Sequence, residues 1–368
     1  MPLPIFVPVL ELPTDFLQLR VPSSSVRLYS PYTPNEDDAT NPATKPPAGE
    51  SICLLHGRLD DFLHYARGEA SDWLLQRAHD ICDPSLKRGS LVVWKRHEQI
   101  WAPVSQSEQL IASTYVYTWP AEMPTTLTKI SHRENRSVTS RGGDGPAMRN
   151  SVATRDGGRC WISKVSPSDN RHICPKRMGD HLARQIYEDF TGQTPPPTLR
   201  VTDSAFGLSL SPVLGPYFDN YELGLHSIGN NQYEAHSFTT VDEQWVKTVY
   251  GTLPKGQVQN EPLLHGHFVV PQNTNATGLP PPGLFRWHYL QCVIKKFGHD
   301  DYKKMTNIAY PELPIKIVNE DDSDDEETDS DLEWPSKCWD VHRLKAAEQT
   351  EAAERHRGIA QWADSAAG

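Results

Sequence analysis

Long apolar runs are missing from this chain. None of its 368 residues belongs to a stretch that reaches the roughly 18 apolar residues a membrane-spanning helix needs, so no such helix is expected. Cysteine is scarce and scattered: Cys53, Cys82, Cys160, Cys174, Cys292 and Cys338 form no Cys-x-x-Cys pair. That argues against a structural zinc site and fits a reducing compartment. The opening Met1-Pro2-Leu3-Pro4-Ile5-Phe6-Val7-Pro8 has no basic residue and is broken by prolines, which is the wrong pattern for a secretion signal. The expected location is intracellular, in nucleus or cytoplasm, with no membrane partner.

Proline and charge are plentiful instead. With 31 prolines and a mean hydropathy of -0.57, long connections should interrupt the core, although 368 residues are enough for two domains. The formal net charge of -11 is concentrated in one place, because ten of the 47 acidic residues lie between Glu320 and Glu333, leaving 37 acids against 36 bases elsewhere. From Arg141 to Arg184 the balance reverses, with nine Lys or Arg against four Asp. A local excess of that sign is what a phosphate-binding surface requires.

Read along the chain, the periodicities predict an α+β fold. Residues 1–125 should form an N-terminal α+β domain, with strands at Ser25 to Ser30, Ile52 to Leu55, Leu91 to Trp94 and Ser113 to Trp119, and a helix over Ser71 to Cys82 behind a Ser N-cap. Residues 126–150 are polar and glycine-rich and read as a linker. In 151–310, a short helix over Arg149 to Thr154 should lead through Asp156-Gly157-Gly158 into a hairpin. Its strands would be Arg159 to Ile162 and Arg171 to Cys174, with His172 and Cys174 on one face. A helix over Gly179 to Gly192, an extended Phe206 to Leu210, a helix starting at Ser211-Pro212 and a hairpin over Ile228 to Asn231 follow. Pro216 should leave that helix short or kinked. Gly283 to Phe297 is an amphipathic helix ending at Gly298, in which His288 reads as a packing residue. Residues 311–368 read as an acidic disordered tail and a short helix over Leu344 to Trp362.

The series Arg155-Asp156-Gly157-Gly158-Arg159-Cys160-Trp161-Ile162, Arg171-His172-Ile173-Cys174-Pro175-Lys176-Arg177, Phe206-Gly207-Leu208-Ser209-Leu210-Ser211-Pro212 and Tyr217-Phe218-Asp219 resembles the HNH, or ββα-metal, endonuclease family in its basidiomycete form. Leu-x-x-Trp-His-Tyr-x-Gln within Gly283 to Phe297 is similar to that group's C-terminal helix. The resemblance implies that 151–310 is an HNH-like nuclease domain with a helical insertion and a C-terminal helix. It also implies phosphodiester hydrolysis with one divalent cation such as Mg²⁺, a strand His as general base, an Asn orienting that His, and further ligands on helix and strand.

His172 stands at the first His position and is the catalytic candidate. Phe206 replaces the Asn, and Gly215, four residues before Asp219, replaces the last His. The ligands of any metal are thus unassigned, with Asp219, Asn220, His226 and His236 as substitutes to consider. Arg155, Arg159, Arg171, Lys176 and Arg177 are the candidates for binding nucleic acid, DNA or RNA. Three readings stay open: an HNH-fold nucleic-acid-binding protein with weak or lost hydrolysis, an active metal-dependent endonuclease with substituted ligands, and a non-catalytic interaction scaffold. The acidic run is a further expected partner, folded back on the basic patch.

Overall fold

The structure, a computed structural model, describes residues 25–31, 51–66, 71–95, 97–105, 107–118, 127–131, 145–239, 264–274, 276–305 and 308. The acidic run 320–333 and the helix expected over 344–362 lie outside the described residues, as does most of the expected linker. What is described belongs to the compact unit Met1–Glu312.

Five strands form a mixed sheet: β1 (Ser25–Pro31), β2 (Ser51–Arg58), β3 (Ser90–Lys95), β4 (Ile100–Pro103) and β5 (Thr114–Thr118), in the order β2-β1-β5-β3-β4. β1 runs parallel to β5, and every other pair is antiparallel. Alternation puts Val26, Leu28, Leu91, Val93, Tyr115 and Tyr117 on one face, all at or below 2 % exposed. Helices α1 (Leu59–Ala66) and α2 (Ser71–Cys82) belong to the same core. Ser71 opens α2 as expected, but its hydroxyl donates to the Glu108 carbonyl at 2.8 Å, tying the helix start to the loop before β5.

Beyond this sheet come α3 (Gly145–Asp156), β6 (Asp169–His172), α4 (Gly179–Thr191), β7 (Gly207–Leu210), α5 (Gly215–Asp219), β8 (Leu223–Gly229), β9 (Gln232–Ser237) and β10 (His267–Val269). The long α6 (Pro282–Phe297) and the short α7 (Asp300–Met305) complete the described elements. β6 pairs antiparallel with β7, while β8, β9 and β10 make a second antiparallel sheet. α6 packs against β8, α4, α2 and β2 at once. The parts expected on either side of 126–150 therefore share one core, and the joints are specific. Trp73 of α2 donates its indole N–H to the Tyr289 hydroxyl of α6 at 3.1 Å, and Arg286 of α6 reaches Asp80 of α2 at 2.6 Å.

Two local expectations are corrected. Arg159 to Ile162 is not a hairpin strand. Gly157 and Gly158 both take left-handed φ, +62° and +63°, ending α3, and the chain then closes a tight turn in which Cys160 N–H bonds Val165 O and Lys164 N–H bonds Cys160 O. The partner of β6 is the fully buried β7 instead, and β6 ends at His172, so the alternation expected to put Cys174 on its face does not continue. Second, α5 begins at Gly215 rather than at Ser211-Pro212. Ser211 heads a preceding turn, its hydroxyl accepting the Leu214 N–H at 3.3 Å, and Pro216 falls in the first helical turn, where a missing N–H leaves no bond unmade.

Candidate nucleic-acid interface

The first of the expected binding residues is buried. Arg155 is the penultimate residue of α3, and its guanidinium has five N–H donors. All five are engaged: two on the Asp156 carboxylate at 2.7 and 2.8 Å, and three on the carbonyls of Ser204, Gly278 and Gly207 at 2.8 to 2.9 Å. The ring of Trp161 lies 5.6 Å from its centre. Asp156 in turn accepts the Ser209 N–H of β7 at 3.0 Å. Arg155 is thus the fastener of α3, β7 and the 204 and 278 loops, and no donor is left for a phosphate.

Arg171 of β6 is also committed. Its guanidinium meets Asp219 of α5 at 2.9 Å and Asp169 at 3.0 Å, with 12 % of the side chain exposed. It lies directly over Gly215, where an added Cβ would come within 2.2 Å of Nε. Position 215 has no room for any side chain, because Arg171 fills the space. Strand alternation turns His172 to the opposite face of β6 from Arg171, and His172 itself is half-buried opposite Gly207.

The remaining three face outward to differing degrees. Arg159 is exposed at the turn after α3, while Lys176 and Arg177 are half-buried in the short 3₁₀ turn Lys176–Met178. Lys164, a further base of the stretch, donates to the Val270 carbonyl, and burial lowers its pKa. The basic stretch therefore divides into an inner set that holds the fold and an outer set, the exposed Arg159 with the half-buried Lys176 and Arg177, the last with its Nη2 shut off from solvent.

Among the described residues, the candidate ligands do not assemble a site for a divalent cation. Asp219 is paired with a guanidinium, Gly215 has no donor, and Phe206 is a fully buried hydrocarbon. His226 and His236 sit on β8 and β9, stacked on each other and on neighbouring rings. Among the described residues, no group of three or more His, Cys, Asp or Glu could hold a metal ion. No family model, curated protein or solved structure matches this chain.

Sequence reasoning missed the carboxylates that neutralise Arg171. Asp169 stands two residues away on the same strand, and that i,i+2 placement was the one available signal. Asp219 is 48 residues distant and gave none. The packing role expected for His288 is observed: it is fully buried, stacked 3.7 Å from the Phe218 ring, with Nε2 at 3.0 Å from the Phe218 carbonyl.

Proposed function

We propose that this protein binds nucleic acid through an HNH-like ββα module whose metal-dependent hydrolysis has been lost. The order β6, β7, α5, with the two strands antiparallel and His172 at the end of the first, supports the module. The observation that carries the loss is Arg171. A fixed monovalent cation, already neutralised by Asp169 and Asp219, occupies the space at position 215.

The chemistry follows from that placement. Hydrolysis of a phosphodiester needs positive charge free to grow closer to the leaving oxygen as the transition state forms. Arg171 is held by two carboxylates, so the local sum is negative and cannot serve. His172 retains an imidazole that could take a proton from water, but Phe206 offers it no amide and Arg171 no uncommitted charge. Binding asks for less. Arg159, Lys176 and Arg177 need only approach backbone phosphates, displacing condensed counterions, and this gives salt-sensitive affinity with little base preference.

Nicking of supercoiled plasmid by the full chain, with Mg²⁺, Mn²⁺ or EDTA, tests the loss, beside His172→Ala. The expected result is no cleavage by either protein in any condition, with retained DNA binding. Metal-dependent nicking that disappears in His172→Ala would overturn it.

A further inference from the structure

Four histidines from distant parts of the chain form a continuous column. His64 at the end of α1 stacks on His265 with ring centres 3.9 Å apart and planes 21° from parallel. His265 stacks on His236 of β9 at 4.6 Å and 20°, and His236 on His226 of β8 at 5.4 Å and 29°. The column runs from an exposed ring, His64, through His236, only 1 % exposed, to the half-buried His226. Tyr65 closes one side, its ring edge-on to His265 at 5.2 Å and its hydroxyl on the Ser237 carbonyl.

Tyr289 of α6 accepts the Trp73 indole N–H at 3.1 Å, and its hydroxyl hydrogen-bonds His236 Nδ1 at 2.7 Å. His236 Nε2 lies 3.7 Å from the Glu234 carboxylate. His265 directs Nε2 at the His64 carbonyl, 3.3 Å away. Among the described residues, the charged and titratable groups facing the column include Asp61 and Tyr65 from α1, Glu234 from β9, Tyr289, Cys292 and Lys296 from α6, and Arg77 of α2 across the Tyr289 ring. Glu234 can offset one imidazolium. It cannot offset two in adjacent rings, because Asp61 lies at the exposed end of the column and Arg77 is paired with Asp80, while Lys296 adds repulsion.

His265 leads directly into the strand the column holds. Gly266 N–H bonds Ala235 O at 2.8 Å, and β10 pairs with β9 from His267 to Val269, burying Leu264 and Val269. The far end of this strand touches the turn beside β6 and β7, through Lys164 on the Val270 carbonyl and His267 on the Ile162 backbone.

We infer that the histidine column is an acid-sensitive clasp: neutral, it pins residues 264–270 across α1 and β9, and protonation of adjacent rings releases that edge strand as a unit. Burial, with His236 and His64 beside it, holds the His265 pKa down to about 4, in keeping with a ring that gives up its place before it accepts charge.

Hydrogen exchange of the full chain, corrected for intrinsic rates, tests this at pH about 7.5 and about 5. The expected result is a loss of protection of about tenfold or more in 264–270 at the lower pH, with a clearly smaller loss in β5, which shares only the global decline. His265→Phe, which keeps a ring in the column but cannot be protonated, should retain protection at both. Equal protection at both pH values in the wild type, an equal loss in β5, or the full loss in His265→Phe would overturn the clasp. Should His265→Phe not fold, His64→Phe at the exposed end decides: a release midpoint moved to lower pH supports the clasp, and an unmoved midpoint contradicts it.

Discussion

Arg155 and Asp156 are neighbours in the chain and partners in space, almost fully buried together. Removing one member of such a pair leaves an uncompensated charge. Arg155→Ala strands the Asp156 carboxylate and three carbonyls, and should destabilise the protein by about 3 to 5 kcal/mol in urea unfolding, with Arg155→Lys restoring little because an ammonium lacks the planar fork. From the sequence Arg155 reads as one more base in a basic stretch. Nothing local tells that the carbonyls of Ser204, Gly207 and Gly278 converge on it, 49 to 123 residues away. Gly215 makes the complementary case: its lack of a side chain was legible, and the guanidinium that demands it was not. Gly215→Ala should cost about 1 to 3 kcal/mol in the wild type through overpacking. In an Arg171→Ala background that cost should largely vanish, so a double-mutant cycle by urea denaturation reads the coupling directly. Additive effects would mean that Arg171 is not what excludes the side chain.

At the scale of elements, the helices with strong periodicity were legible nearly to the residue. α2 runs from Ser71 to Cys82, and α4 stops where Gly192 takes φ of +69°. Short elements were harder to read. The residues from Arg159 to Ile162 look like a strand because Trp161 and Ile162 are large and apolar, yet they are buried through a turn, Trp161 packing on Phe285 and Tyr233. Burial without pairing has no signature in alternation. α1 went unread because only two of its eight residues, Phe62 and Tyr65, are buried. α6 is the element on which others converge, and Tyr289 is its clearest joint, accepting from Trp73 and hydrogen-bonded to His236 Nδ1. Tyr289→Phe keeps the ring and removes the hydroxyl. It leaves a buried indole N–H and a buried imidazole nitrogen without partners, for an expected loss of about 1 to 3 kcal/mol by thermal or urea unfolding.

For the whole molecule, pH is a global lever. Burial lowers the pKa of His56, His79, His265 and His267 below the ordinary 6.5. The unfolded chain therefore binds more protons than the folded one as pH falls below that value. Stability should be fullest above it and should decline on acidification toward the folded values, about 4 for His265. Urea midpoints at pH 7.5, 6 and 5 should fall in that order, and a flat profile would mean these rings are not buried neutral. Among the described residues no helix is long and apolar enough to cross a membrane. The α+β class was legible, but the single core was not, because polar composition over 126–150 reads as a boundary while α6, far downstream, bridges the two sides.

One titration tests both halves of the proposed function, nucleic-acid binding and the loss of metal chemistry. Labelled duplex DNA and single-stranded RNA are bound to the full chain in EDTA and in Mg²⁺ across a range of KCl, beside the triple variant Arg159→Ser, Lys176→Ser, Arg177→Ser. The prediction is affinity for at least one of the two that is indifferent to Mg²⁺ and falls linearly in log–log salt, with the slope reduced by about 0.9 per lost duplex contact, or about 0.7 for a single strand. Affinity for neither, a slope unchanged in the triple variant, or shortening of the labelled strand in Mg²⁺ but not EDTA would contradict it.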